Sequence, residues 1–484
     1  MAKTDFDAIV VGSGPNGLSA AIVLQQAGLS VLLLEGKSTI GGGLRSEELT
    51  LPGFIHDVCS AIHPMAVASP FFRSLSLKEH GLELIQPPIA AAHPLEDGTA
   101  AILTRSVEET AAGLGADKDR YLKVFKPLTD GFPALTNDIL APLHIPENIL
   151  QFTKFGLNAL WPADIFARRF ETKKARGLWA GMTAHSMLPL SKLTTSAIGL
   201  VLMAAGHAYG WPIPKGGSKQ IASALASYFQ SIGGKIETSF YVKSLQQLPS
   251  STAVLFDVTP RQLLQIAGHT FSSVYRSQLT KYRYGMGVFK VDWALAEPVP
   301  FKNKDCLQAG TIHAGGTFEE IALGEKQTWA GKHSDSPFVL LAQQSFFDPT
   351  RAPEGKHTLW GYCHVPSHST RDMTDAIEKQ VERFAPGFRE RILARHTMNT
   401  AQMEEHNPNY IGGDINGGSQ NLAQLFTRPA LRWSPYRTST KGLYICSSST
   451  PPGGGVHGMS GYHAAQRALK DLFPQAAENI NQHF

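Results

Sequence analysis

Cysteine is scarce in this chain. Its four cysteines, Cys59, Cys306, Cys363 and Cys446, are spread over 484 residues without a C-x-x-C pair, which excludes a disulfide scaffold and leaves a zinc ribbon unsupported. A large charge of one sign is missing too, and a formal net charge of +4 is too small for this length to indicate a nucleic-acid partner. No apolar run reaches the length of a membrane-spanning helix; the closest, Ala197 to Gly206, reads as a buried core helix. Low-complexity tracts and internal repeats are also lacking. A first strand near Phe6 leaves no space for a signal peptide, so the expected compartment is the reducing cytoplasm. The length itself predicts two or three domains with ample core.

The segment from Phe6 to Glu35 is what stands out. An apolar strand (Ala8 to Val11) leads into Gly12-Ser13-Gly14-Pro15-Asn16-Gly17, then a small-residue helix, then a second strand (Val31 to Leu34) ending on Glu35. Gly12 permits a tight turn, Gly14 lets backbone approach a pyrophosphate, and Gly17 lets the helix pack close to the sheet. The helix N-terminus offers unpaired N–H groups and a positive dipole end to phosphates. Glu35 stands 18 residues beyond Gly17. That is close to the offset of about 20 expected for a carboxylate that accepts ribose hydroxyls.

These glycines do not separate NAD from FAD. A second cluster, Ile40-Gly41-Gly42-Gly43-Leu44-Arg45-Ser46, points to FAD, because an arginine and close-packed backbone there would lie near the pyrophosphate and flavin. A third, Thr450 to Gly461, follows an apolar strand (Gly442 to Cys446) and precedes a helix-like run (Tyr462 to Leu469). A helix N-terminus placed there would stabilise a reduced flavin, whose N1–C2=O edge gains negative charge.

The three clusters in this order, together with Trp211-Pro212-Ile213-Pro214-Lys215-Gly216-Gly217-Ser218 and Asn409-Tyr410-Ile411-Gly412-Gly413-Asp414-Ile415, resemble the phytoene dehydrogenase-related (carotenoid desaturase-like) flavoproteins, within the wider group that includes amine oxidases. The resemblance covers nearly the whole chain. It implies a non-covalent FAD. Carried over residue by residue, it implies that Gly12, Ser13, Gly14, Pro15, Asn16 and Gly17 hold the pyrophosphate and Glu35 the ribose. Gly42, Gly43 and Arg45 would flank the pyrophosphate and flavin, and Val242, in the strand after Lys235, would contact adenine. Gly455, Val456, Gly458 and Met459 would lie on the flavin. Cys446-Ser447-Ser448-Ser449-Thr450 departs from the pattern by replacing a glycine that many desaturases carry.

The expected fold class is α/β, a Rossmann-type FAD-binding domain interleaved with a sheet-plus-helix substrate domain. Segments 1–75, 205–260 and 404–484 are assigned to FAD binding, and 76–204 and 261–403 to the substrate. Tyr284 to Trp293 and Phe338 to Gln343 read as strands of the substrate sheet by their β-branched and aromatic content. No metal is expected, since Pro366 interrupts the His364–His368 spacing. P-loop and nucleophile-elbow spacings are both missed.

The reading that results is an FAD-dependent oxidoreductase moving hydride between flavin N5 and an isoprenoid or lipid-like substrate. The alternatives are a redox-neutral isomerase, an amine oxidase without a recognisable aromatic cage in its C-terminal segment, and a non-catalytic flavin-stabilised interaction protein. His457 and His63 are the candidate proton-transfer groups, each set against a purely structural role. Partners are a hydrophobic small molecule and no nucleic acid. Ile149 to Trp161 is a candidate for peripheral membrane contact, with a cap helix over the cavity as the other reading.

Overall fold

A computed structural model describes residues 4–480, so the extremities of the first and last FAD-assigned segments, 1–3 and 481–484, lie outside the described residues. A five-stranded parallel sheet runs in the order Leu443–Ile445, Ser251–Phe256, Phe6–Val11, Val31–Leu34, Lys235–Glu237. The buried stretches of its central strands, residues 8–11, 253–256 and 31–34, are apolar throughout because both faces are covered. Ala8, Val10, Val31 and Leu33 pack on one side under helices Pro15–Gln26, Lys219–Ser231 and Met459–Leu472. Ile9, Val11, Leu32 and Leu34 pack on the other, against Leu263, Ile266, Tyr275 and Leu279. These last residues belong to helices Pro260–Ala267 and Ser273–Thr280, so the chain stays on the parallel sheet for about one helix pair beyond residue 260.

The second sheet has seven strands in the order Ile392–Met398, Gly287–Leu295, His357–Val365, Val339–Ala342, Ala309–Ala314, Ile89–Pro94, Ala100–Leu103. Neighbours are antiparallel except for the Ala309–Ala314 and Ile89–Pro94 pair. Gly287–Leu295 begins later than its sequence suggests, since the Gly285 N–H goes to Asp414 Oδ2 at 2.6 Å instead of a ladder partner. Strand alternation divides this sheet sharply. Val339, Leu341, Leu359 and Cys363 face a core completed by Ile377, Val381 and Phe384 of helix Thr374–Phe384. Leu340, Trp360 and Tyr362 face helices Lys173–Ala184 and Thr195–Ala208 and the space between the two sheets.

No helix among the described residues is long and apolar enough to cross a membrane. Helix Ile149–Ala159 buries only Ala159.

Candidate functional site

Three glycine clusters meet at the start of helix Pro15–Gln26. Gly12, at φ +101°, makes the turn off the first strand. A Cβ on Gly17 would lie 1.9 Å from the Gly12 carbonyl oxygen, so the close return of helix onto strand requires glycine there. The second cluster crosses the first: Gly41 N–H donates to the Ser13 carbonyl at 3.0 Å, and a Cβ on Gly42 would stand 3.1 Å from Gly14 Cα. The third arrives through its helix, where a Cβ on Gly461 would fall 1.8 Å from the Asn16 carbonyl oxygen.

Glu35 is the hub of this arrangement. Its Oε2 accepts the Ser13 N–H at 3.1 Å and the Ser13 hydroxyl at 2.5 Å. Its Oε1 accepts the Lys37 N–H at 2.9 Å and Arg45 Nη2 at 3.2 Å. Arg45 also donates to the Thr39 carbonyl, the Thr39 hydroxyl and the Gly42 carbonyl. The guanidinium thus turns back to tie the second cluster to the acid, and both side chains are nearly buried.

One cavity of about 360 Å³ runs from these loops to the floor of the antiparallel sheet. Gly12, Ser13, Gly14, Pro15, Asn16, Glu35, Gly42, Gly43, Arg45, Val242, Gly455 and Val456 line it, and so do Trp211, Leu340, Trp360 and Tyr362 at the other end. Val242 reaches it from an irregular segment, because the strand after Gly234 ends at Glu237. Gly17, Gly458 and Met459 stand outside the lining. Gly458, at φ +69°, is needed for packing, as its Cβ would come 2.1 Å from Ser19 Oγ. Met459 sits in the core beneath the parallel sheet.

The two candidate histidines differ. His63 lines the cavity, and its Nε2 is 2.8 Å from Ser218 Oγ. Ser218 spends its own hydrogen on the Ser60 carbonyl at 2.7 Å, so His63 is the donor and its Nδ1 is a buried lone pair without a partner. Ser218 is itself fixed by its N–H to Asp57 Oδ1 at 2.7 Å, and Asp57 pairs with fully buried Arg351 at 2.9 Å. That network explains the Gly216-Gly217-Ser218 turn. Burial pushes His63 down to about 4, so it is neutral near pH 7 and a weak base. His457 is absent from the lining; its Nδ1 accepts the N–H of Met459, the first residue of helix Met459–Leu472, at 3.0 Å. Burial pushes it down to about 4 as well. The Nδ1 lone pair of His457 is thus committed to the backbone at the start of that helix.

Several lining residues carried no assigned role in the sequence reading. Asp257 follows the strand Ser251–Phe256, and its Oδ2 accepts the Gly17 N–H at 2.9 Å. An acid closing an apolar strand just before Thr259-Pro260 was the available signal. Tyr410 Oη would lie 2.4 Å from a Cβ on Gly43. The departing serines also line the cavity, with Ser449 Oγ donating to the Gly417 carbonyl at 2.6 Å.

Residues 10–75 match the NAD(P)-binding Rossmann-like domain family. Over 97% of its length the chain is 26% identical to mouse pyridine nucleotide-disulfide oxidoreductase domain-containing protein 2, of which the match covers 94%. It is 22% identical to a limonene dehydrogenase polypeptide of Castellaniella defragrans, covering 96% of this chain and 95% of that one. It is also 22% identical to a lycopene-forming phytoene desaturase of a Paracoccus species, over 96% and 97%. Among solved structures, an oxidoreductase from Methanosarcina mazei superposes with a TM-score of 0.65 at 14% identity, over 96% and 99% of the two chains. A redesigned putrescine oxidase gives 0.61 at 15%, over 98% and 99%.

Proposed function

We propose that this chain, a carotenoid desaturase-like oxidoreductase, binds FAD non-covalently and exchanges hydride with an apolar, isoprenoid-like substrate. The observation that carries this reading is the continuity of one cavity from the glycine loops to Trp211, Leu340 and Trp360. The cradle suits a dinucleotide, because Gly14 and Gly42 bring two backbones within van der Waals contact beside a helix N-terminus. Bound there, FAD supplies the hydride acceptor or donor at its ring N5.

The chain's own residues do the rest. Glu35 would exchange its Ser13 and Arg45 donors for ribose hydroxyls, freeing Arg45 to face phosphate. Trp211, Leu340 and Trp360 exclude water and hold a C–H bond of an apolar chain in one place by shape. Segments 1–75, 205–260 and 404–484 would carry the cofactor, joined by the helices up to residue 280, and the remainder would carry the substrate. An apolar substrate also suggests contact with a lipid surface. Ile149, Leu150, Leu157, Leu160 and Trp161 are 60%, 76%, 64%, 48% and 47% exposed, on one helix and the turn after it.

Anaerobic photoreduction followed by admission of oxygen tests the reaction class. Slow reoxidation is expected of a dehydrogenase. Rapid peroxide release would favour an amine-oxidase type of enzyme, and the absence of any redox response would favour a binding role.

A further inference from the structure

Beneath the substrate end of the cavity lies a group of buried imidazoles that the chemistry above does not use. His93, His313 and His364 are each no more than 4% exposed, and the Phe338 ring lies 5.7 Å from that of His313 and 6.0 Å from that of His364. Gly177 and Gly181, one helical turn apart, let helix Lys173–Ala184 lie directly on two of them. A Cβ at these positions would come 2.6 Å from the His93 ring and 2.4 Å from the His313 ring. The rings are therefore fixed in position.

Their proton positions follow from their partners. His93 Nε2 donates to the Gly316 carbonyl at 2.6 Å, and His364 Nδ1 meets Glu325 Oε1 at 2.8 Å. The second ring nitrogen of each is buried and bare. His313 Nε2 lies 3.0 Å from Nε2 of His185, and His313 Nδ1 is likewise bare. Burial pushes His185 down to about 3 and His313 well below its ordinary value, so the two are neutral and share one hydrogen. Were His185 the donor, His313 would bury an N–H with no acceptor, and orphaned buried N–H groups are rarer in folded proteins than under-satisfied acceptors. His313 is therefore the donor. His185 consequently carries its own hydrogen on Nδ1, and His185 lines the cavity.

A hydroxyl lies in the same row. The strand register pairs His313 with Leu340 and Leu340 with Tyr362, two strand spacings or roughly 10 Å away. Tyr362 also lines the cavity, and burial, with Cys59 and Glu325 nearby, raises its phenol far above neutral pH. It stays protonated.

We infer that His185 Nδ1–H and Tyr362 Oη, both on the wall of the cavity, form a subsite for a neutral oxygen atom, so that the substrate is an oxygen-bearing apolar molecule such as an isoprenoid alcohol, aldehyde or ketone. A bare hydrocarbon would leave both groups unmatched. A protonated amine would meet an N–H donor with its own N–H donors. This substrate class rests on the oxidoreductase reading above and narrows it.

The test uses three ten-carbon probes of one skeleton, geraniol, myrcene and geranylamine, titrated into the full-length protein and followed by quenching of tryptophan fluorescence. Trp211 and Trp360 line the cavity, so this readout does not require a bound flavin. Geraniol is expected to bind more tightly than geranylamine. The geraniol-to-myrcene affinity ratio should fall about tenfold in His185→Leu, the loss of one hydrogen bond. If His185→Leu does not fold, Tyr362→Phe must lower the same ratio several-fold. An unchanged ratio, tighter binding of geranylamine, or no binding of geraniol would overturn the subsite. Flavin content, read from absorbance on the same samples, judges the cofactor reading separately: a flavin-free protein whose ratio still responds to His185→Leu supports the subsite and fails only that reading.

Discussion

Asp257 Oδ2 accepts the backbone N–H of Gly17 at 2.9 Å, so an acid occupies the first turn of the helix where phosphate would be received. Burial raises this carboxyl to about 7, the Gly17 N–H opposes the shift, and Glu35 adds to it. A carboxyl whose folded value lies above its unfolded one stabilises the fold fully below about pH 4 and loses that contribution as pH rises towards about 7. Asp257→Asn should remove the loss. In urea denaturation the variant should gain about 1–3 kcal/mol on the parent between pH 5 and pH 8. A difference that is the same at both pH values would contradict the assignment.

Glu35 has all its acceptor capacity in use, through Ser13, Lys37 and Arg45. Glu35→Gln replaces a charged acceptor by a neutral one and should weaken FAD by roughly 1–3 kcal/mol in a fluorescence titration. Equal affinity would remove Glu35 from the ribose site.

His457 accepts the Met459 N–H and lies outside the cavity lining. His457→Asn or His457→Gln should therefore retain single-turnover flavin reduction within a few-fold, with a stability loss of about 1 kcal/mol typical of a helix cap. A fall of about 10²–10⁴-fold at unchanged FAD affinity would restore it as a proton-transfer group.

Much of this arrangement was legible because it rests on local rules. The first loop, its strand and helix, and Glu35 are specified by residues close together in sequence, and strand, turn and helix signals are readable at that range. Convergence of the clusters was readable only as a resemblance, since the contact of Gly461 with Asn16 joins positions 445 residues apart. Asp257 was missed for the same reason: its partner Gly17 is 240 residues away. Arg45 is assigned by its charge, its glycine cluster and the resemblance, none of which shows that its guanidinium also reaches the neighbouring Glu35 carboxylate. His457 was placed by proximity to the glycine cluster, while the direction of its ring is set by a backbone N–H two residues on.

The exposed face of helix Ile149–Ala159 and Trp161 gives a further expectation. Sedimentation with phosphatidylcholine–phosphatidylglycerol vesicles should carry the protein down, and Leu150→Ser with Leu157→Ser and Trp161→Ser should weaken this at least tenfold, each buried apolar side chain being worth about 1.5–3 kcal/mol. Unchanged sedimentation of the folded triple variant would assign this face to something other than lipid.

The absorption spectrum of the purified protein, before and after heat denaturation, tests the central claim most directly. A yellow protein that releases one FAD per chain into the supernatant is the predicted result, because the proposed cradle around Gly14, Gly42 and Glu35 would hold the dinucleotide without a covalent bond. A colourless protein that FAD does not reconstitute would contradict the account.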